Sequence, residues 1–97
     1  MREDSLGPRE RALIEQAKLV LEFNWTGGYT KPGPRLYPHQ WSWDSALISI
    51  GYSHYDQGRA ESELLHLLDA RWRNGLLPQI VFNPSFGNYF PGPGFWH

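Results

Sequence analysis

From Ser45 to His54 the chain runs Ser45-Ala46-Leu47-Ile48-Ser49-Ile50-Gly51-Tyr52-Ser53-His54 without a formal charge. The run predicts a helix over about residues 43–55, with Ser42 as its N-cap. A helix that is apolar or small on all sides is buried on all sides, so this one needs partners around its whole circumference. Gly51 is expected to let a neighbouring helix approach closely. The helices predicted before and after it are ordinary amphipathic ones. Over residues 8–24, Gly7-Pro8 opens the helix and Glu10 sits in its first turn. Leu13, Ala17, Val20 and Leu21 then recur at helical spacing against Arg11, Glu15, Lys18 and Glu22. Over residues 58–74, Ala60, Leu64, Leu67, Leu68 and Trp72 form the stripe expected inside, with Glu61, Glu63, Asp69, Arg71 and Arg73 mostly outside. Asn74-Gly75 is the expected stop. Alternating outer and inner helices suggest an all-α toroid of helical hairpins, which three helices cannot close. The chain also stops at Phe95-Trp96-His97 without a polar terminus, so the expectation is the N-terminal fragment of a larger barrel.

Two irregular stretches frame the inner helix. In the connection from Trp25 to Gln40, Gly27-Gly28, Pro32, Gly33, Pro34 and Pro38 prevent regular structure. A loop of that length in a compact domain is usually functional or disordered, and the rings of Trp25, Tyr29 and Tyr37 favour function. Its glycines lack the Gly-Lys-Ser/Thr of a phosphate-binding loop, and Asn24-Trp25-Thr26 matches a glycosylation acceptor by chance. After Gly75 comes a short apolar run broken by Pro78, then an aromatic tail from Asn83 to His97, where prolines and glycines are expected to exclude helix and strand. Such a segment suits an aromatic flap hinged at its glycines, or a strap laid over an apolar surface.

At 97 residues and a net charge of −1, the chain is one small domain with no basic stripe to neutralise phosphates, so no nucleic-acid partner is expected. It has no cysteine, which excludes disulfides and thiolate chemistry. No apolar stretch approaches the roughly 20 residues that span a bilayer, and Met1-Arg2-Glu3-Asp4-Ser5 is unlike a signal peptide. A cytoplasmic protein without a membrane partner is the expectation, its oligomeric state left open. His39, His54, His66 and His97 show no metal-ligand spacing, so neither metal nor cofactor is expected, and His66 is read as a packed or surface residue.

The densest chemistry lies in Tyr37-Pro38-His39-Gln40-Trp41-Ser42-Trp43-Asp44. Aromatic faces stack on the C–H faces of sugar rings, and a carboxylate and an amide beside them can bind ring hydroxyls, the makeup of a small-ligand pocket. Two plainer readings compete: the tryptophans are core residues, and Asp44 stabilises a helix N-terminus. A Ser-His-Asp triad from His39, Asp44 and Ser45 is disfavoured, since triads are recognised by geometry rather than adjacency in sequence.

Tyr37-Pro38-His39-Gln40-Trp41-Ser42-Trp43-Asp44-Ser45-Ala46, with Gly75-Leu76-Leu77-Pro78-Gln79-Ile80-Val81-Phe82-Asn83-Pro84, resembles glycoside hydrolase family 63, in particular its mannosylglycerate and glucosylglycerate hydrolases. The first block is the more specific, and the resemblance extends from Pro8 onward. It implies an (α/α)6 barrel that cleaves a small α-glycoside with inversion. It also implies that Tyr37, Gln40, Trp41, Trp43 and Asp44 bind the sugar, and that Tyr89 belongs to a loop closing over the glycerate end. Gln79 stands where the family often has histidine. An inverting enzyme needs two carboxyl groups about 6.5–9.5 Å apart to admit a water. The resemblance implies that the general acid, an Asp, and the general base, a Glu, lie beyond residue 97; Asp44, the only acidic residue in the aromatic segments, cannot supply the pair and is given no catalytic role. The alternatives from the residues themselves are a carbohydrate-binding module without catalysis and an interaction fragment whose aromatic tail docks on a partner.

Overall fold

The computed structural model describes residues 5–87, 89–90 and 92–96, and of Phe95 and Trp96 the backbone alone. Three helices dominate: α1 (Pro8–Asn24), α2 (Ser42–Tyr52) and α3 (Gln57–Asp69). Two short strands, β1 (Gln40–Trp41) and β2 (Ile80–Val81), pair antiparallel with Gln40 opposite Val81 and Trp41 opposite Ile80. Both fall in stretches read as irregular. The ladder continues one step further, because the Ser42 N–H donates to the Gln79 carbonyl at 3.0 Å. Ser42 is therefore the first helical residue, and Trp41 occupies the N-cap position with no side-chain cap. The tail also departs from expectation, since Pro93–Trp96 form a 3₁₀ turn. Proline's preset φ suits the start of such a turn.

Helix α1 has the bounds read from the sequence, but its inward line is rotated. Ile14, Lys18 and Leu21 are partly covered, whereas Leu13 and Val20 are 62% and 59% exposed. Arg59 ties α1 to α3 by pairing with Glu22, and its guanidinium lies 4.9 Å from the centre of the Trp25 ring. A cleft of about 230 Å³ lined by Ile14, Leu21, Gly51 and Tyr55 separates α1 from α2. Gly51 thus borders open space rather than a close helix crossing, and an added Cβ there meets nothing within 4 Å.

Helix α2 packs chiefly on α3. Ser45, Ser49 and Tyr52 lie one helical turn apart on its buried face, and the Ser49 hydroxyl donates to the Ala60 carbonyl at 2.9 Å. The opposite face, with Leu47 and Ile50, is exposed. All-round burial is therefore not met within these residues. Helix α3 begins at Asp56, whose carboxylate accepts the Arg59 N–H at 3.1 Å. It ends at Asp69, short of the expected stop. Gly75, at φ +89°, instead closes a separate turn in which the Trp72 N–H donates to the Leu76 carbonyl at 2.8 Å. Trp72 is consequently outside the helix. The buried face of α3 consists of Ala60, Glu63 and Leu67, while Leu64 and Leu68 are exposed. Glu63, expected outside, is in.

Candidate functional site

The long connection is ordered by its own side chains. A bridge between Trp25 and Thr30 closes a turn through Gly27, at φ +106°, which sets Tyr29 and Thr30 inward, both buried. The Tyr29 hydroxyl donates to the Pro38 carbonyl at 2.5 Å and accepts from the Asn83 side-chain amide at 3.1 Å. The Asn83 N–H donates to His39 Nδ1 at 2.9 Å. Asn83 therefore fastens the segment after β2 to the segment before β1. This brings Tyr89 to the aromatic block.

The result is a cluster of rings. Tyr37 meets Trp41 edge-on at 5.5 Å, and Trp41 meets Tyr89 edge-on at 5.3 Å. His39 stands behind them, 4.7 Å from Phe82 and 5.5 Å from Tyr89. Such edge-to-face pairs are favoured by the ring quadrupoles and hold each other's orientation. Trp43 stands apart from the cluster on the first turn of α2, 73% exposed, so it is not a core residue of this chain. Asp44, in the same turn and partly exposed, makes no hydrogen bond or ion pair among the described residues. It does not cap α2 through its side chain.

Gln40 is placed differently from expectation. It is fully buried: its amide nitrogen donates to Ser45 Oγ and to the Glu63 carbonyl, both at 2.9 Å, and its amide oxygen meets His66 Nδ1 at 2.7 Å. Strand alternation explains this, since successive side chains of β1 point to opposite faces and Trp41 faces the ring cluster. Gln40 thus braces the site from behind, with no group free for a ligand.

Beneath Gln40 lies Glu63, 0% exposed. Its carboxylate accepts three hydrogen bonds: from the Thr30 N–H at 3.1 Å, the Thr30 hydroxyl at 2.8 Å and the Ser45 hydroxyl at 2.7 Å. Burial pushes its pKa above the ordinary value, against the pull of these hydrogen bonds. Burial likewise lowers the pKa of His39, whose Nδ1 already accepts from Asn83. The proton of neutral His39 is therefore on Nε2, which is buried and without a partner among the described residues. Charge alone placed Glu63 outside in the sequence, yet it sits three residues after Ala60 and four before Leu67, on the face those residues mark. That spacing was the available signal. Nothing in the sequence singled out Thr30 or Asn83.

The arrangement offers a wall of rings and one free carboxylate, without the carboxyl pair that inversion requires. Among the described residues no group of three or more His, Asp or Glu gathers as a metal site. Nor is any helix there long and apolar enough to cross a membrane. The three helices, with the aromatic cluster at the start of α2, are consistent with the N-terminal portion of a helical toroid. The chain belongs to the mannosylglycerate hydrolase MGH1-like glycoside hydrolase domain family, whose model matches residues 37–96. A mannosylglycerate hydrolase of Rubrobacter radiotolerans is 67% identical over 98 residues, covering 100% of this chain and 22% of that protein. A glucosylglycerate hydrolase of Mycolicibacterium hassiacum is 46% identical over 84 residues, covering 87% of this chain and 19% of that protein. The crystal structure of a GH63 mannosylglycerate hydrolase from Thermus thermophilus, in complex with Tris and D-glycerate, matches with a TM-score of 0.80 and 46% identity, covering 87% of this chain and 21% of that one. The chain thus spans about a fifth of the length of the relatives it matches.

Proposed function

We propose that this chain supplies the sugar-binding wall and the closing flap of an inverting α-glycosidase that hydrolyses a small α-glycoside such as mannosylglycerate or glucosylglycerate. The observation that carries the reading is the free Asp44 carboxylate on the first turn of α2, directly after the strand that sets Trp41 against Tyr37 and Tyr89. In this scheme the ring faces of Tyr37, Trp41 and Trp43 exclude water and take the apolar face of the sugar. Asp44 accepts hydrogen bonds from its hydroxyls. Tyr89, carried on the glycine-rich segment after Asn83, closes over the aglycone. The general acid and base come from the remainder of the polypeptide, so residues 1–97 form a single (α/α)6 domain only together with it.

Removing Asp44 tests the reading. A hydrogen bond to a charged group contributes about 1.5–3 kcal/mol, and each 1.4 kcal/mol or so is tenfold in rate. Asp44→Ala in the complete protein is expected to lower kcat/KM for mannosylglycerate and glucosylglycerate by about 10- to 100-fold, with the helical circular dichroism unchanged. Full activity in that variant would remove the sugar-binding role of α2.

A further inference from the structure

Glu63 is buried, and no cation lies within ion-pair distance of its carboxylate among the described residues. Placing a carboxylate there is costly, and an apolar residue of similar volume would commonly be no less stable. What the carboxylate does is local and directional. The partners of the carboxylate come from two separate stretches of chain: Thr30, in the long connection beside the buried Tyr29, and Ser45, which follows Asp44 on α2. Gln40, before Trp41 on β1, joins one step further out, donating to Ser45 Oγ and to the main-chain carbonyl of Glu63. The Thr30 N–H can only donate, and Ser45 Oγ, accepting from Gln40, has its own proton to give to Glu63. A carboxylate fits that wiring because every position it offers is an acceptor.

We propose that Glu63 is a positioning residue of the sugar site. From behind α2 its carboxylate, through Ser45, sets the rotation of the first turn of that helix, and thereby the angle at which Asp44 meets the sugar. The inference rests on the sugar-binding reading of Asp44 above. Glu63 itself faces away from the ring cluster and touches no substrate. Its effect passes through Ser45 to Asp44.

The test is a double-mutant cycle in the complete protein. Glu63→Gln keeps the shape of the side chain but removes the charge and places an amide N–H₂ against the Thr30 hydroxyl, which must then turn to accept and give its own proton to Tyr52. It is expected to lower kcat/KM for mannosylglycerate about tenfold, since small misplacements of binding groups are costly in rate. Ser45→Ala, which removes the carboxylate's link to α2 together with the bond that Ser45 Oγ accepts from Gln40, is expected to act in the same direction with the fold intact, and it carries the test alone if Glu63→Gln does not fold. A merely structural role would leave the costs of Glu63→Gln and Asp44→Ala additive. Positioning through Asp44 makes them overlap, so in the Asp44→Ala background Glu63→Gln adds less than about twofold to the Kd for mannosylglycerate, read by tryptophan quenching. The inference is overturned if Glu63→Gln and Ser45→Ala both keep kcat/KM within about twofold of the parent, or if the cost of Glu63→Gln persists in full without Asp44. Full activity of Asp44→Ala by itself is a different failure, and it overturns the sugar-binding reading on which Glu63's role rests.

Discussion

His39 shows how one residue can join a site while leaving the binding to others. Its Nδ1 is occupied by the Asn83 N–H, and its ring lies against Phe82, Trp41 and Tyr89. Burial disfavours the charged imidazolium, so the folded state holds its pKa below the ordinary 6.5, and protonation would also break that hydrogen bond. A base with a depressed folded pKa contributes stability that is present above its unfolded pKa and is lost as pH falls toward the folded one. Thermal melts of the complete protein at about pH 7.5 and about pH 5.5 are therefore expected to show a lower midpoint at the acid end. In His39→Gln that component of the slope is expected to be missing. Glu63 contributes in the opposite sense and in a lower window. Its pKa is raised from 4.5, so its contribution is full below that value and is lost as pH rises through the folded one. At this scale the sequence grouped Trp41 with Tyr37, whose rings do meet, and misplaced Gln40 and Glu63. An aromatic's contribution travels with its identity, whereas the role of a polar side chain depends on which groups meet it.

At the scale of elements, α1 was legible to the residue and α3 was not. Proline at the first turn announces α1 directly. The end of α3 lies five residues before Asn74-Gly75, because the chain turns at Ala70 and a second turn then uses Gly75. Leucines and Trp72 at near-helical spacing mimicked a continuing stripe. The start of α3 depends on Asp56, and Asp56→Ala is expected to cost about 1 kcal/mol of stability, the usual worth of an N-cap. Chemical denaturation of the variant and its parent measures that difference. The β1–β2 pair was illegible for a different reason. A two-residue strand has no periodicity of its own, and its ladder exists only because Gln79 to Val81 are brought against Gln40 to Ser42.

At the scale of the molecule, the apolar faces left open are extensive. Leu13, Val20 and Phe23 on α1, Leu47 and Ile50 on α2, and Leu65 on α3 are each more than half exposed. Exposed apolar side chains in this number mark an interaction face or an association hazard. As a separate piece, residues 1–97 are expected to self-associate at micromolar concentration and to melt without a cooperative transition, as sedimentation and calorimetry would report. A monomeric piece with a sharp melt would show that these faces need no cover. From sequence alone came the three-helix frame, the aromatic block and the family, because helical periodicity and a dense local motif are written in neighbouring positions. The tertiary structure alone decided that Glu63 turns inward, that Gln40 backs the site and that Tyr89 reaches Trp41. Those outcomes depend on hydrogen bonds and ring contacts between residues far apart in the chain, and a spacing rule within one element carries no information about its partner in another.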